Sequence, residues 1–452
     1  MRMRAGQPLR RLAVREEPMK NFVLRGNLCT SRTKDSLSWI PHGYVVCEDG
    51  RSAGMFAELS ERFRQWPLFD WGDCLILPGL VDLHIHAPQY AFRGTGMDLE
   101  LLEWLNERAF PEEARYQDLD YAGKAYGIFA ENMKFSATAR ACIFATRHRE
   151  ATELLMDLME ATGLRTMVGK VNMDRNCPEN LREGTEESLE ETRRWLSDIE
   201  GKYDHTEPIL TPRFIPACSD AVMRGLGDIR RETGLAVQSH LSENQDEAAW
   251  VRELCPWAGC YGEAYDGFGM FGGFCAPGGP SGKGGPTVMA HCVWPSGKER
   301  RLIKERGVFV AHCPQSNTNL CSGIAPVREY LEEGISVGLG TDVAAGCGES
   351  IFRAMADAIQ VSKLRWKLAE GAGRPLTLEE AFFLGTKGGG AFFGKAGSLE
   401  AGYDFDALVV DDRSLSRPGG LSLRERLERV VYLAEGQSLR AKYVEGREIF
   451  AR

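Results

Sequence analysis

Between Leu80 and Gly397 the chain repeats one unit, a short apolar run followed by a stretch with helical amphipathic spacing. Eight runs have strand character: "LVDLHIH", "ATARACIFAT", "TMVGKVNM", "PILTPRF", "LAVQSHL", "TVMAHC", "VFVAHC" and "SVGLGTD". Most are followed by helical stretches such as "ESLEETRRWLSDI" and "SGKERRLIKERG". Parallel strands covered by helices are buried on both faces, so they read as continuous apolar runs. Eight of them, most with a helix behind, is the arithmetic of a (β/α)8 TIM barrel. The expected fold class is therefore α/β, with the barrel over residues 78–397.

The flanks read differently. "NFVLRG", "HGYVVCEDG" and "CLILPG" near the start, and "ALVVDD", "RVVYLAEG" and "LRAKYVEGREIF" near the end, all read as short strands. They predict one small β-sandwich domain built from both ends of the chain, residues 19–77 and 398–452. Residues 1–18 are Arg-rich and lack periodicity, which predicts a flexible tail with the fold starting near Met19. The N-terminus has no apolar core of the secretory kind. Residues 259–286 are Gly-rich and predict a long mobile loop near the rim, between the fifth and sixth strands.

Composition narrows the function classes. Hydrophobic residues make up 43% and charged residues 26% of 452 positions, which suits a soluble protein of enzyme size with a large core. No apolar run is long enough to span a bilayer, and a net charge of -9 argues against nucleic acid or an anionic membrane as partner. Thirteen cysteines, an odd number without any CxxC, read as reduced thiols of a cytoplasmic protein.

The apolar runs end in chemistry-bearing side chains. The first ends in His84 and His86, the fourth in Arg213, the fifth in His240, the sixth in His291, the seventh in His312 and the eighth in Asp342. Alternate strand residues share a face, so His84 and His86 point the same way with Asp82 behind them. In a TIM barrel the C-terminal strand ends converge on one mouth, where active sites sit. Of eight histidines, five fall at these ends, and only His42, His148 and His205 look peripheral.

Each signal alone has a bland reading. A lone His-x-His occurs in ordinary cores, Asp342 after Gly-Thr reads as a helix cap, and Arg213 can pair with a structural carboxylate. In this order, at the ends of counted strands, they favour a metal site. His84, His86, His240 and Asp342 supply three nitrogens and one anionic oxygen, a set that suits one Zn2+ and also accommodates Fe2+. Such an ion lowers the pKa of a bound water from ~15.7 toward ~7.

The motifs "LPGLVDLHIHAPQY", "LLEWLNERAFPEE", "VGKVNMDRN", "TPRF", "SHLSEN", "VMAHC", "AHCPQSN" and "GLGTDVAAG" together resemble the amidohydrolase superfamily. "APQY", "LLEWL" with "FPEE", and "TPRF" narrow the resemblance to its guanine deaminases. "GSLEAGYDFDALVV" at 397–410 is similar to the family's return into the small β domain. The resemblance implies zinc-dependent hydrolysis of guanine to xanthine and ammonia. It also implies one ion per subunit, since binuclear members use a lysine at strand four, where this chain reads "PILTPRF"; Lys170 belongs to strand three.

By position, Glu243 is then the proton shuttle, His291 stabilises the tetrahedral intermediate, and Asp342 both ligates the metal and accepts the water's proton. Gln89 and Arg213 match the guanine-reading positions, with Phe214, Trp104 and Leu101 forming an apolar slot; His312 is an outer contact. A small-molecule purine substrate and a homodimer follow from the resemblance. The alternatives are a related enzyme acting on a pterin, a triazine or 8-oxoguanine, and an inactive barrel serving as a scaffold. Two departures stand out: Arg140 in "FSATARACIF", and the length of the Gly-rich stretch.

Overall fold

Most of the apolar runs overlap parallel strands. The computed structural model describes residues 20–273, 284–415, 419–434 and 436–452. The tail expected at 1–18 lies outside the described residues, as do residues 274–283 of the Gly-rich stretch. Leu80–His86, Thr138–Phe144, Arg165–Gly169 and Thr206–Pro208 pair in that order as one parallel sheet. Val237–Leu241, Thr287–His291, Phe309–His312 and Val337–Leu339 pair as a second. Val171–Asn172 pairs with Thr211–Pro212 in parallel.

Backbone hydrogen bonds cross both gaps between the two sheets. On one side Leu210 N donates to Ala236 O at 2.9 Å and Gln238 N to Leu210 O at 3.0 Å. On the other, Asp342 N donates to His84 O at 2.8 Å and His86 N to Val343 O at 3.2 Å. Side chains of both sheets meet in one apolar cluster that includes Val81, Leu83, Ile209, Val288, Phe309 and Ala311. None of the described helices is long and apolar enough to cross a membrane.

Strands from the two ends of the chain interleave in one sheet. Leu68–Pro78 lies between Asn21–Thr33, to which it is parallel, and Ala407–Val410, to which it is antiparallel. Where the sequence predicts a two-layer sandwich, the hydrogen bonding joins seven strands into one sheet. The long strand Asn21–Thr33 serves both halves of that sheet, and its register with its neighbours shifts near Gly26 and Asn27. Such irregularities bend a strand, so one strand can follow two directions. Arg51–Phe56 is a further strand of this sheet that the sequence reading missed.

"RVVYLAEG" is not a strand: its first half closes the helix Leu423–Leu433. Valine and tyrosine pointed to β structure, but Ser422 and Glu425 form a capping box that starts a helix before them. Leu427, Val430 and Val431 then fall on one buried stripe.

Arg140 joins the two parts of the fold. Its side chain is 2% exposed, and Nε donates to Asp406 Oδ2 at 2.6 Å while an Nη2 hydrogen reaches Asp404 Oδ2 at 3.1 Å. Lys442, wholly buried, donates to the carbonyls of Met133, Ser136 and Thr138 at 2.9 to 3.0 Å, from the terminal sheet to the end of a helix. The unusual arginine is thus a paired charge. Removing one member of a buried pair strands the other. Arg140→Met is expected to cost about 3–5 kcal/mol of stability, read as a lower urea midpoint; an unchanged midpoint would show that the pair holds nothing.

Candidate metal and substrate site

Four side chains from two strand ends and the turn after a third strand converge. His84 Nε2 lies 3.2 Å from His86 Nε2, and His86 Nε2 lies 3.3 Å from His240 Nε2. Asp342 Oδ1 is 3.1 Å from His84 Nε2 and 3.5 Å from His86 Nε2. The edge of a tetrahedron of metal–nitrogen bonds ~2.0–2.1 Å long is about 3.3 Å. These four spacings are close to that edge, as for neighbouring ligands of one ion. Burial, and then the neighbouring imidazoles, push the pKa of His84, His86 and His240 well below the usual histidine range. They are neutral at physiological pH, with lone pairs free for an ion.

Local backbone devices aim these residues. The ladder between the first two strands pairs Asp82 with Ala141 and then Ile85 with Ile143, so the first strand carries an extra residue. Strict alternation fails there. Val81 and Leu83 join the apolar cluster, and His84 and His86 turn toward His240 beyond the irregularity, the re-aiming typical of a bulge beside a site. Asp82 instead faces the eighth strand's turn, accepting from Thr341 Oγ1 at 2.5 Å and from the backbone N–H of Thr341 and His84 at 3.1 Å. Gly340 lets that turn approach: a Cβ there would come within 2.8 Å of His84 Cβ and Cys313 Sγ. His291 at φ 72° and Asp342 at φ 49° are left-handed without being glycine, strain that collects at functional sites.

Glu243 and His291 stand beside the cluster. His291 Nε2 is 3.3 Å from Glu243 Oε2 and 3.8 Å from Asp342 Oδ2. Asn317 Oδ1 lies 2.8 Å from His291 Nδ1, which fixes the ring with its other nitrogen facing Glu243. Burial, aided by the charge of Asp342, pushes the Glu243 carboxyl up to about 8, while Ser322 Oγ donates to its Oε1 at 3.0 Å. Its backbone N–H donates to Glu247 Oε2 at 2.9 Å, and the Tyr261 hydroxyl donates to Glu247 Oε1 at 2.8 Å.

Tyr261 lies in the Gly-rich stretch, which corrects the expectation of a loop without regular structure. Tyr261–Gly267 is a helix. Its tyrosines are buried, and the Tyr265 hydroxyl donates to His240 O at 2.9 Å. The spacing of Tyr261, Ala264 and Tyr265 gives this short segment one apolar face despite its glycines. The described part is a buttress under His240 and Glu243.

A cleft opens over the cluster, lined by Gln89, Arg213 and Glu243 among its polar groups and by Leu101, Trp104, Leu105, Phe214 and Leu320 among its apolar ones. All five residues predicted to contact a substrate line it. Leu101–Ala114 is helical with a π turn at Leu105–Ala109. Pro111 explains the turn, because it has no N–H to donate and its ring crowds the carbonyl four residues back.

The model of the amidohydrolase family matches residues 75–449. The chain belongs to the amidohydrolase family. Among curated amidohydrolase relatives, guanine deaminase of Dictyostelium discoideum is 37% identical over 393 residues, 85% of this chain and 84% of that one. Guanine deaminase of Homo sapiens is 38% identical over 390 residues, 82% of each chain. Among solved structures, guanine deaminase from C. acetobutylicum with guanine bound in its active site is 44% identical, with a TM-score of 0.90 over 95% of this chain and all of that one.

Within this amidohydrolase, two side chains weighed from sequence do not line the cleft. Lys170 is buried, with Nζ 2.6 Å from Glu183 Oε1. His312 lines a separate small cavity beside Arg328 and Arg365. Sequence reasoning missed Glu247, which lines the cleft, and Asn317, Ser322 and Glu113, which hold the site from behind. "PQSN" and "FPEE" were visible as motifs, but nothing local says what their polar residues touch.

Proposed function

We infer that this chain hydrolyses guanine to xanthine and ammonia at the His84–His86–His240–Asp342 cluster. One observation carries the reading: a buried carboxyl, a metal-competent set and two planar polar side chains share one cleft, in a chain 44% identical to a guanine deaminase that holds guanine. Zinc, the ion this ligand set favours, would supply an activated water at neutral pH. Arg213 and Gln89 hold the purine by its oxygenated edge, and Leu101, Trp104 and Phe214 close on its faces and exclude water. His291 hydrogen-bonds the attacking oxygen, orients it and stabilises the tetrahedral intermediate. Glu243, whose carboxyl burial pushes up to about 8, gives its proton to the ring nitrogen N3 as water adds at C2. It then takes up the two protons of the added water in turn, with Asp342 assisting as acceptor, passes one to the departing amine and keeps the other. Atoms balance as guanine plus water giving xanthine plus ammonia.

The same reading includes closure of the eight strands into a barrel, supported by hydrogen bonds across both gaps between the sheets. It places the terminal sheet domain at 19–77 and 398–452, and the hydrolase domain at 78–397. A cytoplasmic homodimer completes it, on the family resemblance and the unpaired state of the twelve cysteines among the described residues.

The test is ammonia release by the purified protein from guanine, adenine, cytosine and isoxanthopterin. Guanine is expected to be turned over in strong preference to the others. Turnover of isoxanthopterin without guanine would replace the substrate, and turnover of none would remove the enzyme reading.

A further inference from the structure

We propose that Glu113 is a positioning residue that sets base specificity by locking the two guanine-reading side chains in one arrangement. The inference rests on the reading of guanine as substrate. Glu113 is 1% exposed and does not line the cleft; it lies behind Gln89 and Arg213, which do. Gln89 Nε2 donates to Glu113 Oε1 at 2.9 Å, and Arg213 Nη1 donates to Glu113 Oε2. Each carboxylate oxygen therefore serves one reader.

The chemistry of the donors makes the lock directional. A carboxylate offers only acceptors, so the Gln89 amide must present its NH2 to Glu113. The opposite end is fixed independently, since Ala344 N donates to Gln89 Oε1 at 3.2 Å. One amide hydrogen and one lone pair of Gln89 remain for a ligand, in a fixed order. A 6-oxopurine shows a ring N–H beside a carbonyl, whereas a 6-aminopurine shows the reverse pattern. A Gln89 free to flip would lose the power to tell them apart. Arg213 is held likewise: its guanidinium sits 4.9 Å over the Phe110 ring and is tied by Glu113, so its remaining donors face the cleft. Phe110 and Glu113 are one helical turn apart, directly after the π turn, so both contacts come from one piece of backbone.

Glutamine at 113 has one acceptor oxygen where two donors need one each. Glu113→Gln is expected to keep its metal and a kcat within about threefold, to raise KM for guanine about tenfold or more, and to lose at least about tenfold of the kcat/KM preference for guanine over 2,6-diaminopurine. Glu113→Asp keeps both acceptors but reaches one methylene less, and should raise KM with kcat retained. It serves if the glutamine variant does not fold. Unchanged KM and preference in a folded variant would overturn the proposal. So would equal losses for both purines accompanied by metal loss, which mark a merely structural role. The wild-type enzyme assayed in parallel separates the two questions: if it ignores guanine, the substrate reading has failed instead.

Discussion

Replacing Glu243 by glutamine is expected to lower kcat about 10³-fold while the metal content stays that of the wild type, in line with the ~10²–10⁴-fold worth of a positioned acid–base group. The geometry separates the two effects. Glu243 lies beside the ligand set, with Oε2 3.3 Å from His291 Nε2 and Oε1 accepting from Ser322, and it completes no edge of the tetrahedron. A glutamine of the same length keeps the Ser322 contact but has no proton to give to a ring nitrogen and takes none from water. The loss should fall on kcat, with KM for guanine little changed, because Gln89 and Arg213 are untouched. Steady-state kinetics beside metal analysis decides the matter. Turnover equal to wild type would refute Glu243 as the shuttle.

His240→Ala should fail differently, losing both turnover and metal. Its Nε2 lies 3.3 Å from that of His86, and its Nδ1 donates to the Arg213 carbonyl at 2.6 Å, which fixes the ring. Loss of an outer hydrogen bond alone weakens metal sites ~10–100-fold, so loss of the ligand should exceed about 100-fold in affinity. Activity is then expected at the assay floor, with substoichiometric metal after dialysis and a far-ultraviolet circular dichroism spectrum like that of the wild type. Stoichiometric metal in the variant would show that the ion is held elsewhere.

The sequence makes the proposed metal set legible because its members interrupt apolar runs. An imidazole such as His240 or His291 at the end of a buried strand is conspicuous, and strand order alone brings such ends together. The supporting groups are invisible for the opposite reason. Glu113 meets Arg213 across 100 positions, Ser322 meets Glu243 across 79, and Asn317 meets His291 across 26. No local pattern carries such pairings. The extra residue after Asp82 is hidden too, since it belongs to the register between two strands. "RVVYLAEG" failed because valine and tyrosine propensities were weighed without the cap several residues upstream, and propensity yields to context.

The link from His240 to residue 213 runs through a main-chain carbonyl, not through the guanidinium. Any amino acid at 213 would offer that same oxygen. Evolution, or a designer, is thereby free to retune which heterocycle is accepted by exchanging one side chain, while the grip on the ion passes unaltered to the descendant.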